Sequence, residues 1–199
     1  MLDIRPADLL AIAGCEIPTE LLPANPDGIS QVMTVADYAW GSDPVVLDYA
    51  RSLPIPPRTT GTTGLPAMEA MTFGDAFRRL MQVRNLRRRA MAHATFLSEP
   101  TVGVVINDYR MPEPRYLRRM AAMLCLRSDD FLAMAASMPA PHPLGSPGQN
   151  DPPSDFASLW TRGELILALA PLHAEQIDAV IAFRMGLPEV RGKYGRLRG

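Results

Sequence analysis

Between Phe73 and Leu132 the chain repeats one pattern: a short run with an apolar stripe at helical spacing, then a residue that stops or caps a helix. That alternation leaves little choice of fold. Phe73, Phe77, Leu80 and Met81 recur at i, i+4, i+7 and i+8, the stripe of an amphipathic helix. Thr72 is placed to cap it, with Asp75 three residues on, and Asn85 is a residue type that tolerates the left-handed end of a helix. A second helix, Arg87 to Thr95, buries Met91 and Ala94 and opens on Arg87, Arg88 and Arg89. After a turn at Phe96 and Leu97, Ser98 caps a third, Glu99 to Ile106, with Pro100 in the first turn, where a missing N–H does no harm. Val102, Val105 and Ile106 face inward, and Asn107-Asp108 makes a loop. Pro112 and Pro114 open a fourth helix with Leu117, Met120, Ala121 and Leu124 on its buried face; Ser128 caps a fifth, carrying Phe131 and Leu132.

This order of residues resembles the Cro/C1-type, or XRE-family, helix-turn-helix regulators. The matching positions are Leu80, Arg84, Leu86, Met91-Ala92, Leu97-Ser98, Thr101-Val102, Val105, Asn107-Asp108 and Pro112, then Leu117, Ala121, Leu124, Leu126 and Asp129 through Leu132. They hold one register without a gap. The family usually has glycine where this chain has Phe96 and Cys125. The resemblance implies that Glu99 to Ile106 lies in the major groove of double-stranded DNA and that the start of the second helix touches phosphates. Phosphate contacts are then expected from Arg87, Arg88, Arg89 and Arg110. The reading face runs from Ser98 through Glu99, Pro100, Thr101, Gly103 and Val104 to Asn107. Glu99 can accept from cytosine, and Thr101 or Val104 can touch a thymine methyl, but bidentate donors are scarce on that face.

Charge is segregated although the net is only −1. Residues 73–134 carry +5, all of the bases being arginine, between residues 1–72 at −6 and residues 135–190 at −4; the last nine residues add four bases. A basic module in an acidic frame suits phosphate binding, and a solvated, salt-bridged face is the alternative. There is no P-loop, dinucleotide glycine fingerprint, zinc-protease motif or nucleophile elbow, so no enzyme is expected. Cys15 and Cys125 stand far apart in apolar surroundings and read as buried thiols. His93, His142 and His173 lack metal-ligand spacing, so neither metal nor cofactor is expected. Without a long apolar run or a basic-then-apolar start, the chain reads as cytoplasmic, with no membrane partner.

The flanks complete an all-α reading. Residues 1–57 form an acidic, irregular helical N-terminal extension, with helices over Arg5–Ala13, Ile29–Trp40 and Asp43–Leu53, and residues 58–71 are a linker. The five-helix module occupies 72–138, and 139–153 is a Pro/Gly-rich tether. Residues 154–187 form an αα-hairpin around Pro171, capped by Ser154 or Asp155, with its second helix from His173 to Met185; 188–199 is a basic tail, either a nucleic-acid arm or a disordered end. A hairpin alone buries little. It needs a second copy in a homodimer, the module itself, or another protein, and residues 1–57 are a second candidate for a protein partner. The reading is a DNA-binding transcriptional regulator; the competing one is the same scaffold serving as a protein-interaction module on the transcription machinery or another regulator.

Overall fold

A computed structural model describes residues 4–24, 28–37, 43–57, 64–139 and 154–187. Among them are ten α-helices and no strand: α1 (Pro6–Ile12), α2 (Ile29–Asp37), α3 (Pro44–Ser52), α4 (Phe73–Gln82), α5 (Arg88–Thr95), α6 (Glu99–Ile106), α7 (Pro114–Met123), α8 (Ser128–Ser137), α9 (Ser154–Leu169) and α10 (Ala174–Gly186). A 3₁₀ turn, Thr19–Leu21, lies in the proline-rich stretch between α1 and α2.

Local chemistry explains most of the helix starts. At α4 the Thr72 hydroxyl accepts from the Asp75 N–H at 3.1 Å, and the Asp75 carboxylate accepts from the Thr72 N–H at 3.4 Å, a complete capping box. Burial alone would raise the Asp75 carboxyl, but the hydrogen bonds from Thr72, with Arg78 alongside, bring it below its ordinary value. Asp43 caps α3 by accepting from the Val45 N–H at 3.0 Å. The expectation that Ser128 caps α8 is corrected: the chain is still extended at Arg127, so Ser128 is already helical, and Asp129 and Asp130 complement the first-turn dipole instead.

The helix ends follow one rule. Asn85, Phe96, Asp108 and Cys125 all take positive φ, between 53° and 56°, just after α4, α5, α6 and α7. In each case the next residue's N–H reaches back five residues: Leu86 to Met81, Leu97 to Ala92, Tyr109 to Val104 and Leu126 to Ala121, at 2.9–3.1 Å. Four successive helices thus close in Schellman motifs built without glycine.

One apolar core runs from α1 to α10. Phe73, Phe77 and Phe131 meet at its centre, Phe131 lying edge-on to the other two rings at 5.3 and 6.2 Å. The N-terminal helices belong to this core: α1 packs on α4, and α2 on α5. A buried ion pair fastens α1, where both terminal nitrogens of Arg84 donate to Asp8 at 2.7 and 2.9 Å, and the guanidinium also donates to the Leu80 and Leu124 carbonyls. The C-terminal hairpin docks within the same chain, α9 on α7, α3 and α2, and α10 on α3 and α2. Tyr49 of α3 stacks on Phe183 of α10 at 4.1 Å.

The described part of the linker is anchored. Leu65 pairs with Ile17 through two backbone hydrogen bonds, and Arg79 donates to the Pro66 carbonyl at 2.7 Å. Residues 58–63, 140–153 and 188–199 lie outside the described residues, as do Tyr38, Trp40 and the capping side chains at the start of α9. Both cysteines are free thiols, but burial of Cys15 is corrected: it follows the turn that ends α1 and is exposed.

Candidate nucleic-acid interface

Arg87 stands at the extended N-cap of α5, and its side chain does not cap the first turn. Arg88 and Arg89 follow in that turn, and all three arginines are exposed. Positive side chains at a helix N-terminus oppose the dipole. An anion placed there would relieve both the dipole and the arginines.

The α5–α6 turn holds α6 by its own cap. The Ser98 hydroxyl accepts from the Thr101 N–H at 3.2 Å and lies 2.7 Å from the Thr101 hydroxyl. Ser98 and Thr101 are therefore engaged with each other. Val102 and Val105 are buried beneath, where α6 packs on α4 and α5. The far end of α6 is tied down through Arg78, which donates to the Ile106 carbonyl at 2.7 Å. Asp108 accepts from the Gly74 N–H at 2.8 Å and is hydrogen-bonded to Thr72.

The structure brings Arg88, Glu99 and Gly103 together. Arg88 donates to one Glu99 oxygen through Nε at 3.0 Å and Nη2 at 2.8 Å. Its stem lies against Gly103, where an added Cβ would stand 3.3 Å from Nη1. Gly103 is thus buried beneath an arginine and is not presented as a reading position. The pair is half-exposed, so it holds by about 0–1 kcal/mol and yields to a better partner. Pro100 and Asn107 are exposed and Val104 is half-buried. Arg110 is exposed beyond the α6 turn, next to Tyr109, which is 70 % exposed.

Sequence reasoning missed the support behind this surface. Phe96 occupies the position where glycine was expected and remains 62 % exposed. The Arg162 guanidinium of α9 sits 4.9 Å above its ring and donates to the Ala94 carbonyl at 2.9 Å. At the second such position, the Cys125 thiol donates to the Trp160 carbonyl of α9 at 3.7 Å. One helix therefore steadies both left-handed turns. Nothing local in the sequence signals this, because the partners lie more than thirty residues apart.

Among the described residues no cluster of three or more His, Cys, Asp or Glu side chains is arranged to hold a metal, and no helix is long and apolar enough to cross a membrane. Comparison with family models, with curated proteins and with solved structures finds no match to the chain.

Proposed function

We propose that the chain is a DNA-binding transcriptional regulator of the Cro/C1 helix-turn-helix type, with α5 and α6 as the paired helices and α6 entering the major groove. One observation carries the reading: three consecutive exposed arginines open α5 beside an α6 whose outer residues, Pro100 and Asn107, face solvent. The sequence register supports it independently. Arg87, Arg89 and Arg110 serve phosphates. Arg88 exchanges its half-exposed bond to Glu99 for a phosphate, which frees Glu99 to accept from cytosine. Thr101, Val104 and Asn107 supply the remaining base-edge contacts, so specificity is modest and leans on DNA shape.

Operators for such helices usually bind two protein copies on a two-fold site. The apolar faces of α9 and α10 are spent inside the chain, so a homodimer on DNA pairs through another surface. The second reading, a protein-interaction module, draws on the exposed aromatic rings Phe96 and Tyr109 at either end of α6. Selection from a random duplex pool separates the two. The DNA reading expects a short, partly degenerate motif whose preference at one base pair blurs in Glu99→Ala. No enrichment at low salt would favour the protein-interaction reading.

A further inference from the structure

A cleft of about 370 Å³ opens between the start of α1, the end of α3 and the middle of α9, on residues that the DNA reading does not use. Its volume lies at the small end of the range for ligand pockets, about 300–1,000 Å³. α9 lines one wall with Trp160, Leu167 and Ala168, and Glu164 stands among them on the same helical face. Arg5, at the N-cap of α1, and Arg51 of α3 supply its basic groups.

The charges in the cleft do not cancel. Arg51 and Glu164 neutralise each other at 3.3 Å. Among the described residues Arg5 is paired with Asp8 alone, at 3.9 Å, and Asp8 already accepts both terminal nitrogens of Arg84. Two guanidinium groups thus share one carboxylate, which leaves one positive charge over. The Cys125 thiol at the cleft's edge does not offset it, because burial pushes its pKa up to about 12. Burial and then the neighbouring Arg84 lower the pKa of Arg5. It stays charged all the same, as arginine does in proteins. The Arg5 side chain is 37 % exposed, open enough for a ligand to reach.

We propose that this cleft binds a small organic monoanion with an aromatic or apolar body, its carboxylate on Arg5 and its body against Trp160, Leu167 and Ala168. A carboxylate completes the shared Arg5–Asp8–Arg84 set by supplying the missing acceptor, and the guanidinium fork suits it. The α9 wall gives the ring a face on which to stack. An inorganic anion would leave that wall bare, and a cation would meet Arg5.

The experiment is calorimetric titration of the full chain with phenylacetate and indole-3-acetate, each against its primary amide. The proposal expects saturable binding of at least one acid, with Kd of about 1 mM or tighter, and the matching amide weaker by about tenfold or more. Arg5→Gln should abolish the preference for acid over amide. Because Arg5 also neighbours the buried Asp8–Arg84 pair, Ala168→Trp serves as a second variant that fills the cleft and leaves every charge in place. A folded Ala168→Trp should lose binding. Saturation by neither acid, equal binding of acid and amide, or full binding by Ala168→Trp would each overturn the proposal. No arm involves DNA, so the result stands whatever the fate of the regulator reading.

Discussion

Phe96 sits in a left-handed backbone conformation that costs a residue with a Cβ about 1–2 kcal/mol, and it stays there with most of its ring in water. Part of that cost is offset by Arg162, since a cation over an exposed ring gives about 0.5–1 kcal/mol. The two terms separate by mutation. Phe96→Ala keeps the strain and loses the cation–π contact, so urea denaturation should show a loss of about 1 kcal/mol. Phe96→Gly loses the contact but relieves the strain, and should fall within about 0.5 kcal/mol of wild type. If glycine proves as damaging as alanine, the ring is packed for some reason other than Arg162. The same comparison shows why this residue was hard to read. Phe at a helix end gives no local sign of positive φ, and the glycine expected from the resemblance marked the conformation without the side chain that replaced it.

At the scale of elements, α9 is the piece on which the others lean. Gly163 lets it close on α7, because an added Cβ there would stand 2.5 Å from the Met123 carbonyl oxygen and 2.8 Å from the Cys125 sulfur. Helix propensity alone favours Gly163→Ala by about 1 kcal/mol. Crowding against backbone works the other way and costs about 1–3 kcal/mol. Destabilisation should therefore win, read as a lower urea midpoint with unchanged slope; a stabilised variant would mean that α9 packs less closely than described. The helices themselves were legible in the sequence. The stripe of Phe73, Phe77, Leu80 and Met81, the Thr72–Asp75 box and Ser98 with Pro100 place α4 and α6 within a residue or so. The docking of α9 was not legible, because a hairpin's apolar face fits a second copy or its own module equally well. Nor was the Arg88–Glu99 pair, which crosses between two helices and turns two expected contacts toward each other.

Across the whole molecule, the N-terminal helices and the C-terminal hairpin share one core with the central module, and the buried Asp8–Arg84 pair shows how tightly. Seventy-six residues separate the two, so no local pattern joins them. Arg84 is fully buried with the carboxylate as its counter-charge. Asp8→Ala should cost about 3–5 kcal/mol by stranding that charge, whereas Asp8→Ala with Arg84→Met should recover much of the loss. Denaturation of the two variants tests this, and a double variant no better than the single would contradict it. Segregated charge is the other property of the whole chain, a +5 module between acidic flanks. That charge underlies the proposal that the arginines opening α5 hold DNA phosphates. The direct measurement is duplex affinity across a salt series, for wild type and for Arg87→Ala/Arg88→Ala/Arg89→Ala. In wild type, log affinity should fall steeply with log salt. The triple variant should bind every sequence more weakly, with a slope shallower by about 0.9 for each phosphate contact removed. Equal affinity and equal slope for the two proteins would contradict it.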